Sequence, residues 1–255
     1  MSGVRALDRV IPFALGFGTL AASILAFELL IRYGWINKFI VPMPSQIAGA
    51  FERVILEEEI PHRFLVTARE ALWATGLLAV FGIGIGVLLY RFKLLRDATE
   101  TWVAAMASAP TVLMYPLFLV IFGRSERTII MMGFVAGLPA VILKTVEGLS
   151  STRRVLVNVG RSFKLTEVQL FTKILFPAAL PTIFVGLRLG MIFALINIVG
   201  VEFLINFGGL GQLINDLAER YDLPGTYAAI CFVILVSVIF FFITDRIEKW
   251  LRPAA

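Results

Sequence analysis

The sequence predicts an all-α membrane protein with about six transmembrane helices. Of its 255 residues, 59% are hydrophobic and only 16% are charged, and the mean hydropathy is +0.89, which exceeds what a soluble domain needs to fill its core. The apolar residues also come in blocks of roughly 20, the length that crosses the hydrocarbon core of a bilayer. The lipid bilayer is therefore the first partner that the sequence predicts.

Six apolar blocks are predicted as spans, and the first requires a choice between a cleaved leader and a retained helix. The block at 11–31 follows Arg5 and Arg9, as in a signal peptide. It is long and has no small-residue cleavage site, so we interpret it as a retained helix. The other blocks lie at 72–90, 102–122, 128–146, 181–205 and 226–243.

The distribution of basic residues predicts that both chain ends lie inside. With that orientation the inner segments hold more Lys and Arg than the outer ones, most of them between the fourth and fifth spans. The acidic run at 57–59 then lies outside.

Residue usage argues against several function classes. The net charge of +5 could suggest nucleic acid, but the basic residues flank apolar blocks and form no patch interleaved with aromatics. With a single cysteine, Cys231, and a single histidine, His62, we expect neither an intrachain disulfide nor a metal site. The sequence has no G-x-x-x-x-G-K-[ST] phosphate loop, and no grouping of nucleophile and base indicates an enzyme.

Glycines spaced four apart recur inside the predicted spans. Such pairs let helix backbones approach closely, so we interpret them as packing positions. The pairs are Gly82 with Gly86, Gly133 with Gly137, and Gly186 with Gly190.

The loop between the fourth and fifth spans, about 150–176, is predicted to fold into two short helices. Apolar residues recur there at helical spacing, and Thr166 with Gln169 matches a capping box. Pro177 and Pro181 would end this segment before the next span. A helix pair of this kind can lie on lipid headgroups or insert into a partner's groove, and periodicity alone leaves both open.

Residues 158–181 carry a resemblance to a known family. They read NVGRSFKLTEVQLFTKILFPAALP and resemble the EAA loop of binding-protein-dependent ABC permeases of the type I importer fold. The likeness continues in VPMPS at 41–45, AP at 109–110, PL at 116–117, FG at 122–123, GLRL at 186–189 and GGLG at 208–211. The order and spacing of these motifs resemble those of the family branch that imports nitrate, sulfonates, taurine, bicarbonate, aromatic acids or pyrimidine vitamin precursors. Two positions depart from the family: its usual glutamate falls at Asn158 and its usual mid-loop glycine at Lys164.

The resemblance implies a permease subunit of an ABC importer in the bacterial inner membrane, made of a segment 1–63 and a permease core 64–255. It implies no cofactor in this chain, because two partner ABC ATPase subunits bind the ATP and Mg²⁺. A substrate-binding protein outside would deliver a small, polar or anionic solute. A second permease subunit would complete the pathway; a homodimer is favoured, although the departures at Asn158 and Lys164 could mark a non-identical partner.

The resemblance also implies which residues contact the ATPase. Phe163 and Leu165 are the expected apolar anchors. The full predicted coupling set is Asn158, Gly160, Arg161, Ser162, Phe163, Lys164, Leu165, Thr166, Gln169 and Leu170.

Polar residues inside the spans are the candidates for the translocation pathway, because polar groups in hydrocarbon usually face a bundle interior or water. The alternative for each is plain packing or a proline kink. Glu28 and Arg188 lie toward span ends and are interpreted as snorkelling or paired. The pathway candidates are Ser108, Thr111, Tyr115, Asn197 and Glu202.

The sequence leaves two interpretations open. Acidic residues at 57–59 and at Asp216, Glu219 and Asp222 could attract a basic delivery protein or could simply be solvated. A stand-alone secondary transporter or channel would also explain six spans, but it would not explain a helix pair in the loop.

Overall fold

The described part of the chain is a helical bundle. A computed structural model describes residues 2–251, in which no strand occurs. Residue 1 of the predicted segment 1–63 and residues 252–255 of the predicted core 64–255 lie outside the described residues. Five segments are long and apolar enough to cross a membrane, and a bent helix pair supplies a sixth. The predicted number of spans is confirmed. The five are Ala14–Arg32, Ile60–Arg91, Glu126–Ser150, Glu167–Ile205 and Leu223–Arg246.

Twelve α-helices make up this bundle in residues 2–251. Two π-helical segments, Leu78–Gly82 and Phe171–Leu175, join α3 to α4 and α9 to α10. In chain order the helices are α1 (Ser2–Arg32), α2 (Pro44–Glu57), α3 (Ile60–Leu77), α4 (Ile83–Arg91), α5 (Lys93–Ser108), α6 (Tyr115–Phe122), α7 (Glu126–Ser150), α8 (Arg154–Ser162), α9 (Glu167–Leu170), α10 (Phe176–Ile205), α11 (Gly209–Glu219) and α12 (Leu223–Leu251).

The predicted third span is broken rather than continuous. Helix α5 ends at Ser108, Ala109 is extended with φ −74° and ψ 138°, and a short 3-10 turn, Thr111–Met114, precedes α6. The two arms meet at 93°. Pro110 explains the break, because proline has no N–H to donate and disfavours helical backbone in the residue before it.

Helices α7 and α10 form the centre of the bundle, and glycines set their separation. A Cβ placed on Gly137 would lie 2.4 Å from the carbonyl oxygen of Gly190, so the two backbones touch at this crossing. The predicted packing role is confirmed at all three glycine pairs. The partners that a Cβ would meet at the other positions are Val141 for Gly82 and Gly190, Thr145 for Gly86, Ile198 for Gly133 and Lys144 for Gly186.

The two charged residues interpreted as paired do have partners. Glu28 accepts hydrogen bonds from the backbone N–H of Ser45 at 3.1 Å and from its hydroxyl at 2.8 Å, which ties α1 to the start of α2. Arg188 of α10 lies 3.2 Å from Asp245 and 2.6 Å from Glu248, both on α12. Each pair therefore joins two helices.

Two helices outside the spans, α2 and α11, were not predicted, and three ion pairs hold the layer that they form together. Each pair joins elements far apart in sequence, so the layer is cross-linked by charge as well as by the apolar cluster beneath it. The pairs are Arg53 with Asp222 at 2.5 Å, Arg63 with Asp216 at 2.9 Å, and Arg220 with Glu58 at 2.8 Å. Much of the predicted acidic surface is therefore engaged within the chain, and Glu57, Glu59 and Glu219 remain exposed.

Candidate functional site

The loop between α7 and α10 folds into the helix pair that the sequence predicts. Helix α8 ends at Ser162, and Lys164 makes the turn in the left-handed region with φ +54°. Thr166 then caps α9: its hydroxyl accepts from the N–H of Gln169 at 3.3 Å, while the Gln169 side chain accepts from the N–H of Thr166 at 3.0 Å. The predicted capping box is confirmed. The left-handed conformation of Lys164 costs roughly 1 kcal/mol in any residue that carries a Cβ, a cost that glycine would avoid.

One side of this helix pair packs on the membrane bundle. Gly160 is buried, and a Cβ there would lie 2.6 Å from side-chain atoms of Leu170 and Ile174. Leu170 is only 4% exposed and belongs to a cluster with Leu149 and Ala179. Among the predicted coupling residues, Gly160 and Leu170 therefore face the protein's own core, and Leu165 is half-buried beside them.

The other side of the helix pair carries an exposed apolar face. Phe163 is 77% exposed, and Asn158, Arg161, Ser162, Lys164, Thr166 and Gln169 are exposed around it. We call the apolar residues on this side the loop face, and it consists of Val155, Leu156, Val159, Phe163 and Val168. Apart from Val168, these residues lie outside the five long apolar segments, and an exposed apolar surface there marks a contact with a partner or with lipid headgroups.

The break between α5 and α6 brings two predicted pathway residues together. The Thr111 hydroxyl donates to the side-chain oxygen of Asn197 at 3.0 Å, and the Asn197 amide donates to the carbonyl of Phe193 at 3.1 Å. Both residues line a cavity of about 400 Å³ together with Pro110 and Gly200. A recess with two polar side chains in a largely apolar lining therefore exists where the kinked span meets α10.

The other three pathway candidates lie elsewhere. Ser108 is exposed, and its hydroxyl donates to the carbonyl of Ala105 in its own helix at 2.8 Å. Tyr115 is half-buried against the central apolar cluster. Glu202, near the end of α10, is 0% exposed, and its carboxylate accepts hydrogen bonds from Thr67 of α3 and from Gly211 at the start of α11, both at 2.7 Å.

Glu70, a second carboxyl that is 0% exposed, is not among the predicted site residues. It was placed before the second predicted span, whereas the helix already begins at Ile60. The available signal was Pro61 in the first turn, followed by apolar residues at a spacing of four in Phe64, Ala68 and Leu72.

Comparisons with known proteins agree with this architecture. Residues 79–253 match the family described as binding-protein-dependent transport system inner membrane component. The chain is 25% identical over 222 residues to a probable ABC transporter permease of Brucella melitensis, covering 87% of this chain and 86% of that protein. It is 30% identical over 176 residues to the nitrate import permease NrtB of Synechocystis, covering 69% of this chain and 64% of that one.

A further relative and a solved structure extend the match. The putative aliphatic sulfonates transport permease SsuC of Escherichia coli is 24% identical over 255 residues, covering 96% of this chain and 92% of that one. In the inward facing MetNI methionine ABC transporter, one chain has a similar fold with a TM-score of 0.65 at 20% identity, covering 74% of this chain and 94% of that one.

Proposed function

This chain belongs to the family of inner membrane components of binding-protein-dependent transport systems, and on that premise we propose that it forms the translocation pathway for a small polar or anionic solute. It is a permease subunit of an ABC importer and is not itself catalytic. Two separate ABC ATPase subunits would bind ATP and Mg²⁺, and a substrate-binding protein outside the membrane would deliver the solute. The observation that carries the proposal is the projecting helix pair with its exposed loop face.

Contact with the ATPase is assigned to the loop face rather than to the buried side of the pair. Phe163 at the end of α8 is the expected anchor, because a large exposed aromatic side chain gains most when a partner's groove covers it. Arg161 and Lys164 flank it and can pair with acidic groups of the partner. Gly160 and Leu170 would hold the pair in place from behind.

A second permease subunit would complete the pathway. The recess at Thr111 and Asn197 lies beside apolar side chains that this chain leaves exposed, namely Met106, Leu113, Met114, Phe193 and Ile196. A closed twofold pair of identical chains would cover such a face with one kind of contact. A homodimer is the favoured arrangement, and a non-identical permease is the alternative that subunit analysis would reveal.

The substrate class is inferred from the relatives and from the recess. Relatives are named for nitrate, aliphatic sulfonates, riboflavin and formylaminopyrimidine. Thr111 and Asn197 carry no charge but offer hydrogen-bond donors and acceptors, which suit oxyanions as well as polar heterocycles. A small anion such as nitrate or a sulfonate is the first solute to test.

The proposal is tested by reconstitution. The assembled complex in proteoliposomes, supplied with its binding protein, is expected to take up solute only when ATP reaches the ATPase subunits. Uptake by this chain alone, without ATP, would instead establish a stand-alone secondary transporter or channel.

Replacing Asn197 with leucine is expected to lower ATP-driven uptake about tenfold, because the recess loses the amide and Thr111 loses its acceptor. The ATPase subunits should still bind, since Asn197 lies away from the loop face. The matched control is Ser237→Ala, whose hydroxyl donates only to its own helix at Val233. Equal uptake by the Asn197→Leu variant and the unaltered protein would remove this residue from the pathway.

A further inference from the structure

Two buried carboxyl groups meet near the outer end of the bundle. Glu70 of α3 and Glu202 of α10 are both 0% exposed. Thr67 lies one turn before Glu70 on α3 and donates to the carboxylate of Glu202 at 2.7 Å, so both carboxyl groups lie at the buried contact between α3 and α10. Two ionised carboxylates have no hydrogen between them and repel each other strongly where little water is present. Their contact therefore requires an explanation.

Glu202 is well supplied with donors. The Thr67 hydroxyl donates to one of its oxygens and the backbone N–H of Gly211 donates to the other, both at 2.7 Å. The same hydroxyl accepts from the N–H of Leu210 at 2.9 Å, so Glu202 and Thr67 together satisfy the first N–H groups of α11. Both carboxylate oxygens of Glu202 therefore already have a donor.

Glu70 lacks such donors. Among the described residues, no N–H or hydroxyl group donates to either of its two buried carboxyl oxygens. Glu70 is one of the residues around an outer cavity of about 490 Å³, but its two carboxyl oxygens are themselves buried. An ionised carboxylate in this position would be uncompensated.

The charged groups that face the pair are engaged with other partners. Arg69 binds Glu126 of α7 through two hydrogen bonds of 2.9 Å, and Arg124, in the loop before α7, donates to the backbone carbonyls of Ile205 and Asn206. Further out, Arg63 of α3 pairs with Asp216 of α11. These arginines hold the surrounding helices together, and none of them is hydrogen-bonded to Glu70.

We propose that Glu70 and Glu202 form a proton-binding site in which Glu70 carries one proton and donates it to Glu202. The shared proton removes the repulsion and gives Glu70 the hydrogen bond that it otherwise lacks. Because Glu202 also holds the start of α11, the proton ties α3, α10 and α11 together beside the outer cavity. Loss of the proton at high pH would place two negative charges in this site and separate α11 from α3.

This inference goes beyond the transport function and does not depend on it. The test uses the full chain, purified in detergent with whatever subunits accompany it. Infrared spectroscopy detects the carbonyl band of a protonated carboxylic acid, which an ionised carboxylate does not show. The unaltered protein is expected to show such a band at neutral pH, and Glu70→Gln is expected to remove it.

Thermal unfolding provides a second readout. As the pH rises from about 6 to about 10, the unaltered protein should lose about 5 °C of melting temperature more than Glu70→Gln, because the glutamine donates to Glu202 without titrating. Glu70→Met keeps position 70 uncharged at every pH and should also flatten the pH profile, even if it starts at a lower stability. Glu57→Gln, which removes an exposed carboxyl, should change neither readout.

Three results would overturn the proton site. The first is an unchanged carbonyl band in Glu70→Gln. The second is a parallel pH profile in all variants. The third is stability that depends on the concentration of sodium or potassium with no carbonyl band at all, which would assign the site to a metal cation instead.

Discussion

Replacing Gly137 with leucine is expected to prevent the bundle from folding stably, with a loss of about 3 kcal/mol or more. A Cβ at this position would lie 2.4 Å from the carbonyl oxygen of Gly190 and 2.9 Å from its carbonyl carbon. These are backbone atoms of α10, so no side-chain rotation can relieve the overlap. Helices α7 and α10 would have to separate at the centre of the molecule.

The measurement is the yield of folded protein in the membrane together with its melting temperature in detergent. The matched control is Gly84→Leu, because a Cβ on Gly84 meets no atom within 4 Å and this glycine is exposed. The control should fold with little change, since its new side chain points away from the bundle. Equal yield and stability of the Gly137 and Gly84 variants would contradict the close crossing of α7 and α10.

The second large effect is expected at the loop face. Replacing Phe163 with glutamate should weaken association with the ATPase subunits about tenfold or more, because a charge would have to be buried in the groove that takes the aromatic ring. ATP-driven uptake should fall in parallel. Folding should not change, because the side chain is 77% exposed.

Asn158→Glu is the matched control for Phe163→Glu. It adds the same charge to the same helix at another exposed position, and it restores the glutamate typical of the family. The control should retain ATPase binding. If both variants lost the ATPase equally, added charge would be the cause and Phe163 would not be an anchor; if neither lost it, the loop face would not be the ATPase contact.

Local sequence patterns were enough to predict the number of spans and the helix pair in the loop between α7 and α10. A long apolar segment forms a helix in a bilayer, because the helix satisfies the hydrogen bonds of every backbone N–H and C=O group within the segment itself. The Thr166–Gln169 capping box and the glycine pairs are likewise short-range patterns, and the structure confirms them. The bend at Ala109 follows from Pro110, but its angle of 93° depends on how α6 packs against α7.

Contacts between distant segments could not be predicted from one sequence. Thr67 and Glu202 are 135 residues apart, and Arg53 and Asp222 are 169 apart. Nothing in the sequence near Glu202 indicates that its carboxylate accepts a hydrogen bond from the start of α11. The position of Glu70 was missed for a different, local reason. The polar residues at 62, 63, 67, 69 and 70 shortened the predicted span, although the helix continues through them.

Affinity purification of this chain in mild detergent from its native membrane tests the central claim most directly. The permease assignment predicts that an ABC ATPase co-purifies with it, that the preparation hydrolyses ATP, and that Phe163→Glu removes the ATPase while the chain itself remains folded. A chain that purifies without any ATPase and still moves solute in liposomes would contradict the assignment.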